Sequence, residues 1–340
     1  MKKVVTFGEI MLRLSPPHHQ RFVQTRTFDA VYGGGEANVA YSLAQLGEKA
    51  VFVTKIPKNP IGQAAVNELR RYGVDTTHVL RGGERLGVYY CENGAAMRPS
   101  LVIYDRAHSA ISQVIPGVFD WRSIFEDADW FHFTGITPAL GSNVADVCME
   151  ACRAAKKQGV TVSCDLNFRK NLWTSDQANE TMSALMPYVD VAVANEEDAE
   201  KVFGIKAGNT DVRQGNLDTE AYKDVARQMV DRFGFKKVAI TLRESFSASD
   251  NGWSGLLFDG NDFFKGKKYM VHIVDRVGGG DSFCAGLIHS LLKNVPGQEA
   301  IEFAVAASAL KHTISGDFNL VSEEEVAKLM AGDASGRVQR

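Results

Sequence analysis

The chain has 340 residues, 45% of them hydrophobic and 23% charged, with a formal net charge of −3 at pH 7. This size allows one large domain or two smaller ones, and the apolar content is ample for a sizeable core. The small net charge and the lack of long basic runs argue against nucleic acid or an acidic membrane surface as a partner, and we expect neither.

The N-terminal stretch has no apolar segment typical of a signal peptide, and no window approaches the roughly eighteen apolar residues of a membrane span. The chain has five cysteines, and none of them form a Cys-x-x-Cys motif. An odd number of cysteines without this spacing is typical of a protein whose thiols are reduced. From these observations we expect a cytoplasmic protein.

Short apolar runs alternate with helical patterns along most of the chain. Strands are predicted at residues 4–7, 51–54, 130–134, 160–165, 189–194 and 237–242, and helices at 61–72, 143–158, 219–233, 298–315 and 322–330. This alternation predicts an α/β fold with a mainly parallel, doubly wound sheet and crossover helices.

One segment interrupts the alternation. Two strand patterns, at 88–90 and 101–104, follow each other without a helix between them, which predicts a small β insertion. The segment 15–27 contains two prolines and two histidines and is predicted to be irregular or exposed. Since no linker-like run separates two halves, we predict one domain over residues 1–331 and a flexible tail over 332–340.

A first glycine-rich motif, Gly-Gly-Gly-Glu-Ala-Asn, occupies residues 33–38 and opens a helical pattern. Glycines such as Gly34 and Gly35 allow a ligand to approach the backbone, and the Asn38 amide offers a donor and an acceptor to a sugar hydroxyl. The alternative is a tight loop with Asn38 in the first helical turn for local reasons.

A second motif, Gly-Gly-Gly-Asp, occupies residues 278–281 and lies between an apolar strand pattern and a helix. Three glycines at a helix N-terminus let consecutive N–H groups point outward, and with the helix dipole they form an anion site suited to a phosphoryl group. Asp281 follows at once, where its carboxylate can take a proton from an attacking hydroxyl. The alternative is a helix N-cap after a flexible turn.

Further polar clusters follow predicted strands at 165–169, 195–198 and 241–243. In a doubly wound sheet the ligand crevice lies beyond the carboxyl ends of the strands, so we expect these clusters and the two glycine motifs to converge on one site. The guanidinium of Arg169, close to Asn167 on its loop, is suited to gripping a carboxylate, although a surface salt bridge explains it equally well.

With the residues before it, the second motif reads Asp275-Arg276-Val277-Gly278-Gly279-Gly280-Asp281. It resembles the Asp-Thr-x-Gly-Ala-Gly-Asp pattern of the ribokinase family of carbohydrate kinases, with Arg276 in place of the usual small residue and Gly279 in place of alanine. The first motif is similar to the Gly-Gly-x-x-x-Asn pattern of that family. The resemblance implies a ribokinase-like three-layer sandwich, in which strands from about residues 11–32 and 85–112 form a β lid that often makes a dimer contact. We therefore expect a homo-oligomer, at least a dimer.

Residues 165–173 read Asp-x-Asn-x-Arg-x-x-Leu-Trp and residues 104–106 read Tyr-Asp-Arg. These patterns, and Gly-Asp-Phe-Asn at 316–319, resemble the 2-keto-3-deoxygluconate kinases of the same family. The resemblance implies ATP-dependent phosphorylation of that sugar acid with Mg²⁺. The alternatives are a fructokinase or other sugar kinase, a non-catalytic sugar-sensing relative, and a nucleotide-dependent oxidoreductase, which the lack of Gly-x-Gly-x-x-Gly after the first strand disfavours.

The resemblance implies a role for each candidate residue. Asp281 is the expected base, and the amides of Gly278, Gly279 and Gly280 are the expected anion hole. The expected substrate-binding residues are Gly34, Gly35, Asn38, Tyr89, Tyr104, Arg106, Asp165, Asn167, Arg169 and Asp281. The expected nucleotide contacts are Asn195, Thr241, Arg243, Gly278, Gly280 and Asn319. Asn195 and Asp198 are expected to act on Mg²⁺ through water, with Asp198 standing where the family has a glutamate.

Overall fold

The structure is a computed structural model that describes residues 1–195, 197–207 and 219–333. Residues 334–340 of the predicted tail lie outside the described residues. No helix in the described ranges is long and apolar enough to cross a membrane.

In chain order the described strands are β1 (Lys3–Phe7), β2 (Met11–Ser15), β3 (Asp29–Gly33), β4 (Lys49–Ile56), β5 (Val79–Arg81), β6 (Gly87–Glu92), β7 (Leu101–Asp105), β8 (Trp130–Thr134), β9 (Thr161–Asp165), β10 (Val191–Ala194), β11 (Lys237–Ser245), β12 (Asp250–Phe258), β13 (Phe263–Lys265) and β14 (Tyr269–His272).

The helices separate the strands of the large sheet, as crossover connections require. The described helices are α1 (Gly35–Gln45), α2 (Pro60–Arg71), α3 (Trp121–Ile124), α4 (Ser142–Lys157), α5 (Ser175–Leu185), α6 (Asp198–Phe203), α7 (Thr219–Phe233), α8 (Gly279–Leu292), α9 (Gly297–Lys311) and α10 (Glu323–Met330). Capping boxes at Thr174 and Ser322 begin α5 and α10, because each hydroxyl accepts a hydrogen bond from a first-turn N–H.

The large sheet has the strand order β13-β12-β11-β10-β9-β8-β1-β4-β5, and β14 also pairs with β12. The strands from β11 to β5 are mutually parallel, whereas β12 runs antiparallel to its neighbours. The chain builds outward from β1 to β5 and then returns to add β8 to β11 on the other side of β1. The strand order therefore reverses between β1 and β8, and a ligand crevice is expected beyond the carboxyl ends of these strands.

Successive residues of β1 contact different cores. Val5 and Phe7 belong to a core that includes residues of α4, α5 and α7, whereas Val4 belongs to a second core with residues of α1, α2, α8 and α9. Since adjacent side chains of a strand point to opposite faces, the sheet is covered by helices on both sides. This arrangement confirms the predicted three-layer α/β sandwich.

A second, small sheet has the order β3-β2-β6-β7. In it β2 pairs antiparallel with β3 and parallel with β6, and β6 pairs antiparallel with β7. Met11, Tyr89 and Cys91 form an apolar cluster on this sheet, against which Val277 packs from the loop before α8. The small sheet is thereby joined to the loop that carries the second glycine motif.

Among the predicted boundaries that differ from the structure are those at Ser15 and at the end of α9. Ser15 is the last residue of β2 rather than the start of an irregular segment, and its hydroxyl accepts a hydrogen bond of 2.8 Å from Nε of Arg13. Helix α9 ends at Lys311, four residues before the predicted end at 315. The chain turns there through Gly316, which has a φ of +86° that an α-helix does not allow.

Candidate active site

A cavity of about 300 Å³ lies beyond the carboxyl ends of β1 and β8 to β11, between the N-termini of α1 and α8 and the small sheet. All but one of the residues predicted for the site line this cavity: Gly34, Gly35, Asn38, Tyr89, Tyr104, Arg106, Asp165, Asn167, Arg169, Asn195, Asp198, Thr241, Arg243, Gly278, Gly279, Gly280 and Asp281. The structure thus brings together polar clusters that are separated by up to some 240 positions, as between Asn38 and Asp281.

The exception is Asn319. Its side chain is buried, with 2% exposure, and its amide oxygen accepts a hydrogen bond from the N–H of Val321 at 3.3 Å. The structure therefore does not bring Asn319 together with the other predicted residues.

Asp281 lies in the first turn of α8 at the floor of the cavity. The amide of Asn38, in the first turn of α1, donates a hydrogen bond of 2.6 Å to its Oδ2. Burial raises the pKa of Asp281 to about 7, the Asn38 hydrogen bond opposes this, and the negative charges of Glu36 and Asp317 add to it. A carboxylate with a pKa near neutrality is well matched to accepting a proton at cellular pH.

The backbone of Gly278 accounts for the glycine at that position. Its φ is +83°, and a Cβ there would collide with the carbonyl oxygen of Asp317. Gly278 is the N-cap residue of α8, and no side chain caps this end of the helix. The N–H of Gly279 donates to the carbonyl of Arg276 at 3.3 Å, whereas the N–H groups of Gly280 and Asp281 have no backbone or side-chain acceptor among the described residues. These two groups remain available at the cavity, where the helix dipole also favours an anion.

Glu36 is a buried residue of the cavity wall that the sequence interpretation did not single out. Its Oε1 accepts hydrogen bonds from the N–H of Thr134 at 2.9 Å and from the hydroxyls of Thr134 and Thr137 at 2.8 and 2.6 Å. Burial nevertheless raises its pKa. Its position inside the first glycine motif, two residues before Asn38, was the available signal.

Arg106 lies at the small-sheet end of the cavity and forms a buried ion pair with Glu9. Its Nε donates to Oε2 of Glu9 at 2.8 Å, and its Nη2 contacts the same oxygen. Its guanidinium also lies 5.4 Å from the centre of the Tyr104 ring. Glu9 was missed by the sequence interpretation, although an acidic residue two positions after the first strand is a usable signal. The pair holds the planar guanidinium in one orientation at the cavity wall.

The loop after β9 brings Asp165, Asn167 and Arg169 to the cavity. Asn167 has a φ of 38°, and Asp165 accepts hydrogen bonds from its N–H at 3.2 Å and its amide at 3.4 Å. Nη1 of Arg169 donates to the carbonyl of Phe168 at 3.2 Å. Burial first, and then the charges of Asp198 and Asp281, raise the pKa of Asp165 well above its usual range.

Asp198 holds two loops together. Its Oδ1 accepts from the N–H of Phe168 and its Oδ2 from the N–H of Asn195, both at 3.0 Å. The amide oxygen of Asn195 in turn accepts from the N–H of Glu197 and Asp198. Both carboxylate oxygens of Asp198 are thus already used by the backbone. In the described part of the chain, no group of three or more His, Cys, Asp or Glu side chains is placed to hold a metal ion.

A buried charge cluster beneath the second glycine motif was also missed. Arg13, on β2, forms ion pairs of 2.8 Å with Asp275 and with Asp317. Burial opposes the charge of Arg13, but the two carboxylates raise its pKa above the ordinary value. The hydroxyl of Tyr89 donates to Asp317, and the ammonium of Lys311 donates to the carbonyl of Asp275 at 3.4 Å. Two cations and two carboxylates thus connect the small sheet to the loop before α8.

Comparison with known proteins places these observations in a family. The model of the pfkB family carbohydrate kinases matches residues 1–323. The crystal structure of 2-dehydro-3-deoxygluconokinase from Thermotoga maritima is 52% identical, with a TM-score of 0.95, and the match covers 98% of this chain and 100% of that one. The 2-dehydro-3-deoxygalactonokinase of Haloferax volcanii is 33% identical over 98% of both chains. The 2-dehydro-3-deoxygluconokinase of Bacillus subtilis is 28% identical over 96% of this chain and 95% of that protein.

These matches span nearly the whole chain, and the structural likeness includes the mainly parallel sheet with helices on both faces. The family that these matches indicate is the one predicted from the two glycine motifs, which lie at the N-termini of α1 and α8 and line the cavity. The chain therefore belongs to the pfkB family of carbohydrate kinases and is a sugar kinase with a ribokinase-like fold.

Proposed function

We propose that this kinase transfers the γ-phosphoryl group of ATP to the terminal hydroxyl of 2-keto-3-deoxygluconate, also called 2-dehydro-3-deoxygluconate, giving the 6-phospho product. A 52% identical relative that matches over its whole length bears the name of this activity. The observation that carries the proposal is the cavity itself, which has two arginines at its sugar end and a carboxylate of raised pKa at the N-terminus of α8.

The sugar acid is held, in this proposal, between the small sheet and the loop after β9. Arg106 and Arg169 bind the carboxylate end of the sugar, since guanidinium groups match a carboxylate in charge and shape. Glu9 orients Arg106 through two contacts. Tyr89 and Tyr104 of the small sheet, Asn38 of α1, and Asp165 and Asn167 at the end of β9 and in the loop after it supply hydrogen bonds to the sugar. Gly34 and Gly35 leave room for it to approach the backbone.

Asp281 is the proposed base. It accepts the proton of the terminal hydroxyl as the hydroxyl oxygen forms its bond to the γ-phosphorus and the bond to the leaving oxygen of ADP breaks. The N–H groups at Gly278 to Gly280 stabilise the charge of the phosphoryl group during transfer. Thr241, Arg243 and Asn195 line the cavity and contact the nucleotide in this proposal.

The residues present fit a magnesium ion that is held mainly by the nucleotide. Mg²⁺ usually keeps several waters and binds substrate phosphates with one or two protein ligands. Because the oxygens of Asp198 are engaged by backbone N–H groups, Asp198 and Asn195 would reach the ion through water. Bound there, Mg²⁺ neutralises phosphate charge.

We also propose that the small sheet is a lid and that it joins two copies of the chain. Val102 and Tyr104 of β7 face the cavity, so the sheet can exclude water that would otherwise compete as phosphoryl acceptor. The alternate residues Leu101 and Ile103 are 47% and 49% exposed. An exposed apolar row on an edge strand is suited to pairing with a second copy.

A second candidate substrate is 2-keto-3-deoxygalactonate, since a 33% identical relative is named for that activity. The two acids share the carboxylate that Arg106 and Arg169 would bind, so this pair of arginines, the carboxylate clamp, does not by itself distinguish them.

The first test measures ADP release with Mg-ATP and 2-keto-3-deoxygluconate, 2-keto-3-deoxygalactonate, fructose, ribose or gluconate over one concentration range. We expect kcat/KM to be highest for a keto-deoxy acid. A preference for fructose or ribose would support sugar kinase activity but contradict the proposed binding of a carboxylate by Arg106 and Arg169. Absence of turnover with every sugar would favour a sensing role.

Replacement of the clamp arginines tests the same proposal at the residue level. Arg169→Ala and Arg106→Ala should each lower kcat/KM for the acid by roughly 10- to 200-fold, because a charge-assisted hydrogen bond contributes about 1.5–3 kcal/mol. The same variants should change residual turnover of fructose only slightly. Arg122→Ala, which removes an exposed arginine from α3, is the matched control. Equal losses for acid and neutral sugar would contradict the clamp.

A further inference from the structure

Arg276 stands two residues before the glycine motif and lines the same cavity as Gly278 to Gly280. It is half-buried, and its Nη2 donates a hydrogen bond of 3.0 Å to the carbonyl of Ala248, in the turn between β11 and β12. The ribokinase-family pattern has a small residue at this position, so that pattern does not account for the arginine.

Arg243, on β11, lines the same cavity as Arg276. Burial and then the positive charge of Arg243 lower the pKa of Arg276, while Asp275 acts in the opposite direction. The Asp275 carboxylate is shared, because it also pairs with Arg13 and accepts from the N–H of Val277 and of Gly316. Two guanidinium groups close enough to repel each other are stabilised when an anion binds between them.

We propose that Arg276 is a catalytic residue that contacts the transferring γ-phosphoryl group at the Gly278–Gly280 anion hole, opposite Arg243. This inference rests on the proposed kinase reaction and deepens it. As the bond from the sugar oxygen to phosphorus forms and the bond to ADP breaks, the proton goes to Asp281 and negative charge is spread over the phosphoryl oxygens. A guanidinium held at those oxygens stabilises that charge more in the transition state than in the ground state.

The hydrogen bond to Ala248 gives Arg276 a fixed position before the nucleotide binds. The same turn is tied to the small sheet, because the N–H of Ala248 donates to the carbonyl of Ala96 at 2.7 Å and the hydroxyl of Ser249 accepts from the N–H of Ala96 at 2.9 Å. Ala96 lies in the connection between β6 and β7. Both sheets therefore position the guanidinium, and such preorganisation is what makes electrostatic stabilisation effective.

The kinetic test uses Arg276→Thr, which introduces a small residue like that of the family pattern, and Arg276→Lys. We expect Arg276→Thr to lower kcat about 10²–10³-fold, as loss of one preorganised donor does, while KM for the sugar stays within about threefold. Arg276→Lys should have a higher kcat than Arg276→Thr, since lysine keeps the positive charge but lacks the planar set of N–H donors of a guanidinium. Arg122→Thr is the control. A merely structural arginine would instead raise the sugar KM and lower Tm in both variants, which would overturn the proposal.

A binding test separates this inference from the reaction itself. Calorimetry with ADP, with the β,γ-imido analogue of ATP and with ADP plus aluminium fluoride needs no turnover. Arg276→Thr should lose at least about tenfold in affinity for the last two, with ADP unchanged within about twofold. Equal losses for ADP and the analogue would place Arg276 at the inner phosphates and overturn the γ-phosphoryl assignment. Failure of the unaltered protein to phosphorylate any sugar would instead overturn the proposed function.

Discussion

Asp281 has an environment that differs clearly from that of an ordinary surface carboxylate. It is half-buried at the cavity, it has one hydrogen-bond donor in Asn38, and the charges of Glu36 and Asp317 act against its ionisation. An aspartate that served only as a helix N-cap would have its carboxylate bonded to N–H groups of its own first turn. Here Gly278 is the N-cap and Asp281 is in the helix, with its carboxylate toward the opposite motif.

Asp281→Asn tests the proposed base. Asparagine keeps the size of the side chain but cannot accept the hydroxyl proton, so we expect kcat to fall about 10²–10⁴-fold while the sugar dissociation constant changes little. Steady-state kinetics and calorimetry measure the two quantities, with Asp146→Asn on the exposed side of α4 as control. Turnover close to that of the unaltered enzyme would remove Asp281 from the mechanism.

The raised pKa of Asp281 predicts a pH dependence. Below pH 7 the carboxyl is increasingly protonated and cannot act as a base, so kcat/KM should fall toward tenfold per pH unit on the acid side and level off above about pH 7. The Asn38 hydrogen bond lowers this pKa, so Asn38→Ala should move the acid limb to higher pH. The pH profiles of both proteins check this; a limb that stays in place would assign the titration to another group.

At the scale of elements, the loop entering α8 shows two different reasons for glycine. A Cβ on Gly278 would meet the Asp317 carbonyl, and the residue has positive φ. A Cβ on Gly280 would meet no atom of the protein within 4 Å. Protein packing therefore explains the first glycine, whereas no protein atom requires glycine at the second, and we expect a ligand to need that space.

These two glycines give a matched pair of substitutions. Gly278→Ala should destabilise the fold by at least ~1 kcal/mol, because alanine disfavours the left-handed region and its methyl group displaces the Asp317 carbonyl. Gly280→Ala should leave Tm nearly unchanged and still lower affinity for ATP. Thermal unfolding and nucleotide calorimetry distinguish the two effects. Equal loss of Tm in both variants would show that packing requires glycine at both positions.

Strand β2 is fastened to the loop before α8 by a buried ion pair. Arg13→Met should destabilise the protein by about 3–5 kcal/mol, since Asp275 and Asp317 would stay buried without their cation. Arg21→Met, which removes an exposed arginine 3.5 Å from Glu92, should cost less than about 1 kcal/mol. Urea unfolding gives both values. A similar cost for the two variants would mean that the buried cluster relaxes or admits water.

At the scale of the molecule, the proposed lid exposes the apolar side chains of Leu101 and Ile103 on its edge strand β7. We expect a dimer through β7, so Ile103→Lys should shift the protein to monomers in sedimentation equilibrium. Ile115→Lys replaces an isoleucine that is 59% exposed elsewhere and should leave the mass unchanged. A monomeric unaltered protein, or a dimer insensitive to Ile103→Lys, would contradict the lid interface.

The sequence by itself was enough for the fold class and for most of the cavity wall. Hydrophobic periodicity is local, so the strand of 237–242 and the helix of 219–233 could be recognised without knowing their neighbours. Polar residues at the ends of parallel strands converge for a general topological reason, which is why Asn38 and Asp281 could be expected in one site.

Only the tertiary structure decided which charges face each other. Arg13 and Asp317 are 304 positions apart, and Glu9 and Arg106 are 97 apart, so no local pattern could have paired them. The same holds for the pKa of Asp281, which depends on burial and on the distance to Glu36. Ion pairs and pKa shifts are set by separations in space and by loss of solvent, and neither quantity can be read from residue order before the chain has folded.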